Sequence, residues 1–330
     1  MGGTRQEIGR ADIEEARRRL AGASWVTPLI PAPAIGERSE GSVWLKAENL
    51  QYEGSFKLRG ATNKIRALRE QGWTGGVITA SSGNHGRAVA RAAREAGVPA
   101  VVVMPEDAPA VKVEACRRLG AEVILHGTSS VQRMDLADQL AGERGLASVH
   151  SHDDPEVVAG QATVALEIMT ALPECEVILA PVGGGGLVAG IALAAAEMYP
   201  GVEVWGVEPE GSACMYHSLQ AGRRVTLDEV STMADGLRAR RPGELPFALA
   251  RRHLRGVLLV SEDEIRQAMV HLFREQRLVV EPSGAVSVAA LLAGKIRLGG
   301  RRAVAVLSGG NVDPGLLCRA VTGERQEAPR

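Results

Sequence analysis

A chain of 330 residues, 45% of them hydrophobic and 23% charged, has enough apolar material for one large domain or two moderate ones with cores of their own. Its net charge of -1 gives no electrostatic footprint for nucleic acid or an anionic membrane, which leaves small-molecule chemistry as the better starting point. No uncharged apolar run reaches the roughly 18 residues a membrane span needs. Cys116, Cys175, Cys214 and Cys318 are far apart and lack metal-ligand spacing, and the N-terminus has no apolar signal core, so the thiols read as reduced and the protein as cytoplasmic.

Residues 12–20 read as a charged surface helix, and Thr27-Pro28-Leu29 commits the next stretch to extended chain. A short strand at 43–46 comes next. Gly54-Ser55 then gives a turn-and-cap signal, after which Leu58, Ala61, Ile65 and Leu68 recur at helical spacing until Gly72. From there strands at 77–79, 100–104, 123–125 and 147–149 alternate with helices at 84–96, 111–119 and 131–144. A second series comprises helix 156–171, strand 177–180, a glycine loop, helix 187–199 and strand 203–207. Beyond an irregular stretch at 223–241 come strand 257–260, helices 262–276 and 284–293, strand 303–307 and a final helix. Such alternation predicts an α/β protein with two parallel-rich sheets, and a disordered polar tail from Gly323.

Only five of the 38 basic residues are lysines, at 46, 57, 64, 112 and 295. An amine can lose its proton and attack a carbonyl, which a guanidinium cannot do. Lys57 lies in the first turn of the helix that Ser55 would cap. There the helix dipole and the unpaired amides should lower its pKa.

On parallel sheets ligands bind beyond the carboxyl ends of strands, and three loops there are unusual. Ser81-Ser82-Gly83-Asn84-His85-Gly86 lets backbone amides converge at a helix start, a ready site for a carboxylate or phosphate. Gly183 to Gly186 removes four consecutive Cβ atoms where amides could wrap a phosphate. The same loop satisfies a dinucleotide fingerprint through Gly184, Gly186 and Ala189, with Glu208 roughly 20 residues on, so an NAD-dependent oxidoreductase is an open alternative. Ser308-Gly309-Gly310-Asn311 would hold a hydroxyl close to a flat ligand.

Taken together, TPL, WLKAENLQYEGSFKLRGA, SSGNHG, HSHDDPEVVAGQATVALEI, PVGGGGLVAGIA, GVEPEG, ADG, VVEPSGAV and SGGNVD resemble the fold-type II pyridoxal-phosphate enzymes, and within them the serine/threonine dehydratase and serine racemase group. The resemblance runs from about Thr27 to Pro314. It implies a tryptophan synthase beta-like fold of two three-layer αβα domains, residues 1–52 with 154–330 forming the large cofactor-binding domain and 53–153 a small mobile one. It implies pyridoxal 5'-phosphate as cofactor, elimination of ammonia from L-threonine or L-serine, and a homodimer. Carried over residue by residue, it makes Lys57 the lysine that carries the cofactor and Phe56 a packing partner of its ring. Asn84 would bond the ring hydroxyl, Gly183, Gly184, Gly185 and Gly186 would hold the phosphate, and Ser308 would face the pyridine nitrogen. Ser81, Ser82, Gly83 and His85 would line the substrate carboxylate site, with Arg133 as a further carboxylate partner. Ser82 also stands where serine racemases keep their second acid/base.

Two departures from the family pattern bear on function. Metal-stimulated relatives place acidic groups where this chain has Glu208 and Cys214, and a thiol is a poor ligand for Mg2+ or Ca2+, so no metal is expected. His152 stands where threonine dehydratases usually carry phenylalanine, which opens the site to a more polar substrate such as a hydroxyaspartate or a hydroxyectoine-derived amino acid.

Overall fold

The computed structural model describes residues 8–81 and 83–323. Ser82 and the predicted disordered tail beyond Gly323 lie outside the described residues. The chain opens with α1 (Arg10–Leu20), β1 (Leu29–Pro31), α2 (Pro33–Ser39) and β2 (Ser42–Lys46). Helix α3 (Lys57–Glu70) leads into β3 (Val77–Ala80), α4 (Asn84–Ala96), β4 (Ala100–Met104), α5 (Ala110–Arg118), β5 (Glu122–Leu125), α6 (Ser130–Arg144) and β6 (Ala147–Ser148). Next come α7 (Pro155–Ala171), β7 (Val177–Pro181), α8 (Gly186–Met198), β8 (Glu203–Pro209), α9 (Cys214–Ala221) and α10 (Glu244–His253). The chain closes with β9 (Gly256–Val260), α11 (Glu262–Gln276), α12 (Pro282–Leu292), β10 (Arg302–Val306) and α13 (Pro314–Thr322).

The strands form two sheets, one in the order β1-β2-β10-β7-β8-β9 and a smaller one in the order β5-β4-β3-β6. Every pairing is parallel except β1 with β2. The apolar run of β7 shows why the larger sheet is covered on both faces. Ile178 and Ala180 point into the core built with α7 and α8, whereas Val177 and Leu179 point into the core built with α11 and α12. A strand with no polar face must be sandwiched, which is the usual condition of parallel sheets. The smaller sheet repeats the pattern, with α3, α4 and α5 on one side and α6 on the other.

Three helices and one strand go beyond the sequence reading, and two of the helices share a physical reason. The first amides of α10, Glu244 and Leu245, donate to the carboxylate of Asp153 at 2.8 and 3.0 Å. Those of Met215 and Tyr216 at the start of α9 donate to Glu208 at 2.9 and 2.8 Å. Their caps come from elsewhere in the chain, so no local cap signal marks them. The expected Ser55 cap is also corrected. Ser55 is extended, bridges the backbone of Gly309, and its hydroxyl has no partner among the described residues; α3 starts behind Phe56 without a side-chain cap.

Candidate active site

The three unusual loops meet around Lys57. The Phe56 amide donates to the Ser308 carbonyl at 3.1 Å and the Gly310 amide to the Gly54 carbonyl at 2.9 Å, so the loop after β10 is stitched to the segment entering α3. Gly54 is required there on two counts. Its φ is +73°, and an added Cβ would lie 2.6 Å from the Asn311 side chain. Asn311 in turn donates to the Glu53 carbonyl and to Asn84 Oδ1, both at 2.8 Å.

Lys57 begins α3, with its Nζ donating to the Ser151 carbonyl at 2.7 Å and lying 5.1 Å from the centroid of the Phe56 ring. Its pKa is lowered to about 8. The expected direction is present with a different cause: burial of the amine dominates, and the charge of Glu281 opposes it. An amine so placed gives up its proton far more readily than an ordinary lysine, and a sizeable fraction is neutral and able to take a proton near pH 8.

Glycines 183–186 link β7 to α8 and are pressed on all sides. An added Cβ on Gly184 would lie 2.4 Å from the His152 ring, one on Gly186 2.9 Å from the His152 backbone, and one on Gly183 3.1 Å from the Gly236 carbonyl. Gly185 has φ of +97° and no side chain caps α8, so the first amides of that helix are free to meet an anion. His152 thus packs on the glycine loop, its Nδ1 2.9 Å from the Ser151 hydroxyl. Burial, then His150, Lys57 and His85, hold its pKa well below the ordinary range, and the imidazole is neutral.

Asn84 opens α4 and donates to Glu281 Oε1 at 2.7 Å. Ser308 is buried and donates to the Ser283 carbonyl at 3.3 Å. Ser81 accepts the Gly83 amide at 3.3 Å, and beside Gly83 lies open space. His85 is buried, with Nε2 2.9 Å from the Val149 carbonyl and a pKa pushed down to about 3 by burial first and Lys57 second. Arg133 is the candidate that remains apart: its guanidinium donates to the Thr128 carbonyl at 3.2 Å and, among the described residues, to no member of the Lys57 cluster. Ser82 lies outside the described residues.

Two groups of the cluster had no role assigned from sequence. The Ser151 contact is made by a backbone carbonyl, which residue types cannot reveal. Glu281 was visible as an acid between apolar residues and the Pro282 that starts α12, a signal of a buried ionisable group. Its pKa is raised to about 7 by burial and then by Asp235, against the pull of Asn84 and Lys112.

Glu208, the acid that a dinucleotide ribose would need, has both oxygens occupied by the amides of α9. Burial raises its pKa to about 8. Among the described residues no group of three or more His, Cys, Asp or Glu side chains converges to hold a metal ion.

A family model described as pyridoxal-phosphate dependent enzyme matches residues 20–309. The chain is 42% identical over 310 residues to an L-threonine ammonia-lyase of Thermotoga maritima, covering 94% of this chain and 77% of that protein. It is 37% identical over 313 residues to an L-threo-3-hydroxyaspartate ammonia-lyase of Saccharomyces cerevisiae, covering 95% and 96% of the two chains. A solved structure of maize serine racemase superposes with a TM-score of 0.91 at 35% identity, covering 96% of this chain and 97% of that one.

Proposed function

The chain belongs to the pyridoxal-phosphate dependent enzymes, and from that premise we propose that it is an ammonia-lyase converting a β-hydroxy amino acid, L-threonine or L-serine, to a 2-oxo acid and ammonia. The observation that carries the reading is Lys57: an amine with its pKa lowered to about 8, near the Phe56 ring, bonded to the Ser151 carbonyl next to the His152 that packs on the glycine loop, and on a segment whose Phe56 amide donates to Ser308. These residues fit the cofactor. The glycine loop has no room for a Cβ, being pressed by His152, the Gly236 carbonyl, Met215 and Pro246, and its uncapped amides suit a phosphate.

When bound, the cofactor supplies the electron sink that stabilises a carbanion at the substrate Cα. Lys57 would carry it, Phe56 would pack on its ring, Asn84 would bond the ring hydroxyl and the amides of Gly183 to Gly186 would hold its phosphate. The freed Lys57 amine, its pKa lowered by burial, would accept the Cα proton. Ser308 would face the pyridine nitrogen with a hydroxyl that carries no negative charge, which would limit delocalisation and favour prompt loss of the β-hydroxyl. Ser81, Ser82 and the Gly83 amide, with His85, would hold the substrate carboxylate, and Arg133 would join them on closure of the cleft. That closure would be a movement of residues 53–153 against 1–52 and 154–330. No helix among the described residues is long and apolar enough to cross a membrane, and we place the enzyme in the cytoplasm, where its four free cysteines stay reduced. A homodimer is supported by an exposed apolar group of Trp25, Val26, Leu50, Tyr52 and Val279. Their segments are tied together by the Trp25–Gln51 and Asn49–Val279 hydrogen bonds. Light scattering tests it.

His152 supports a second substrate reading. A neutral imidazole where threonine dehydratases carry phenylalanine suits a polar side chain, and the yeast relative is named for hydroxyaspartate. The test is a panel of β-hydroxy amino acids, including L-threo-3-hydroxyaspartate, scored for keto acid and for D-product, with Lys57→Ala and Ser82→Ala beside the native enzyme. Elimination that disappears in Lys57→Ala, and a minor L-serine racemisation that disappears in Ser82→Ala, are expected. Turnover retained by Lys57→Ala overturns the assignment, and dominant D-serine with little pyruvate makes the enzyme a racemase.

A further inference from the structure

Helices α3 and α8 each begin at a functional group: Lys57 is the first residue of α3, and α8 starts at Gly186, the last glycine of the loop. Both pack on one stretch of α7, and each does so through a glycine close to its start. Gly60, three residues after Lys57, meets α7 so closely that an added Cβ would lie 2.8 Å from both the carbonyl oxygen and the Cγ1 of Val157. The approach is mutual, since a Cβ on Gly160 would lie 2.7 Å from the Gly60 Cα. Gly190, four residues after Gly186, is held in the same way: a Cβ there would lie 2.5 Å from the Val158 carbonyl oxygen and 2.8 Å from the Ala162 nitrogen. None of the three has a positive φ, so closeness of backbone to backbone, rather than conformation, is what requires glycine.

Polar ties draw α3 onto α7 on both sides of Gly60. On one side Arg59 donates to the Thr163 hydroxyl at 3.2 Å and to Glu167 at 2.6 Å. On the other, Asn63 donates to the Glu156 carbonyl at 2.6 Å and Lys64 pairs with Asp154 at 2.8 Å. The helices close under these ties until backbone meets backbone at Gly60 and Gly160, a stop that no change of rotamer can relieve. The head of α7 is joined to the glycine loop as well. Asp154 caps α7 by accepting the Val157 amide at 3.0 Å, and His152, two residues earlier, packs on Gly184 and Gly186. Residues 157–162 therefore stand between the helix that carries the amine and the helix that the loop opens.

We propose that this stretch of α7 is a spacer: its contacts with Gly60 and Gly190 fix how far the Lys57 amine stands from the glycine loop, and Gly60, Gly160 and Gly190 are positioning residues for the cofactor. The proposal rests on the reading that Lys57 and the loop hold the two ends of one rigid cofactor, and not on which amino acid is the substrate. Two groups that share such a ligand must keep a set distance, and a misplacement of about 1 Å costs on the order of 100-fold in a reaction between them. Shifting α3 alone should therefore impair attachment at Lys57 and leave the phosphate end in place. Shifting α8 should impair the phosphate end itself. A general loss of stability would not separate the two.

The test uses the full-length chain, stripped of cofactor and then reconstituted, as native protein and as Gly60→Ala, Gly190→Ala and Ile168→Ala. Ile168 is buried further along α7, and its truncation lowers stability without touching the spacer contacts. Equilibrium dialysis with pyridoxamine 5'-phosphate, which cannot bond covalently to a lysine, reads the phosphate end. Mass spectrometry of the Lys57 peptide, after pyridoxal 5'-phosphate is added and quenched with borohydride at intervals, reads the rate of attachment. Gly60→Ala should slow attachment at least about tenfold while keeping the pyridoxamine 5'-phosphate affinity within about threefold of native. Gly190→Ala should weaken that affinity itself at least about tenfold, and Ile168→Ala should leave both near native. Equal losses of both in Gly60→Ala, or neither, overturn the proposal, as does native affinity in Gly190→Ala or a Gly60-like split in Ile168→Ala. Should either alanine variant fail to fold, Val157→Ile, which adds a methyl to the side chain facing Gly60, must show the Gly60 split or the proposal falls. A native chain that takes up neither probe would refute the cofactor reading instead, and the substrate panel tests the reaction separately.

Discussion

Arg59→Met tests whether the helix that carries Lys57 is anchored by a buried ion network. Arg59 is completely buried and donates to both oxygens of Glu48 at 2.8 Å, to both of Glu167 at 2.6 and 2.8 Å, and to the Thr163 hydroxyl at 3.2 Å. Glu48 is also fully buried and has Thr27 and Lys46 as its other polar neighbours. Burial alone would raise the Glu48 pKa, but the charge and hydrogen bonds of Arg59, then Lys46 and Thr27, outweigh it and hold the carboxyl below its ordinary value.

Removing one partner of a buried pair costs about 3–5 kcal/mol, because the other is left as an uncompensated charge. Lys46 remains near Glu48, and Glu167 keeps some contact with water, so the lower half of that range is expected. Adding Glu48→Gln should recover on the order of 1–3 kcal/mol by removing the stranded charge. The pH dependence carries the sign. In the native protein the contribution of Glu48 is present above the ordinary carboxylate value of 4.5 and is lost as pH falls through its depressed one. In Arg59→Met burial wins, the carboxyl rises, and the deficit relative to native should shrink as pH is lowered from neutrality. Urea unfolding followed by circular dichroism measures all three. A loss below about 1 kcal/mol in Arg59→Met, or a further loss on adding Glu48→Gln, would refute the reasoning.

Gly184→Ala places a Cβ 2.4 Å from the His152 ring and should weaken cofactor retention at least about tenfold, about 1.4 kcal/mol, read from the visible band after dialysis. Because burial lowers the Lys57 pKa to about 8, the neutral fraction of the amine freed after substrate binds falls as pH drops through that value, and kcat should fall with it; a flat kcat profile there contradicts the role of the amine as base. Ser308→Asp puts a charge where a hydroxyl now meets the Ser283 carbonyl, and should slow elimination while raising side products, scored as keto acid against other products by chromatography.

The alternation of short apolar strands with helices is a local pattern, and it determined the two parallel-rich sheets: α4, β4 and α11 occupy the spans their periodicity predicts. Rare lysine usage and glycine-rich loops made Lys57, Gly183 to Gly186 and Ser308 legible as chemistry, because those residue types have few other reasons to occur together. Tertiary structure decided the rest. The last strand, β10, is inserted between β2 and β7, and that crossover brings Ser308 beside Phe56. The starts of α9 and α10 depend on carboxylates that sequence distance hides, Asp153 acting 91 positions away. The lowered pKa of the Lys57 amine comes from burial, a property of the assembled core, rather than from its place on the helix. Periodicity and composition act over a few residues, whereas desolvation and charge pairing act between whichever groups the crossovers bring together. That is why Glu281, Asp235 and the Ser151 carbonyl join the site only in the folded chain, and why Arg133 remains apart from the Lys57 cluster.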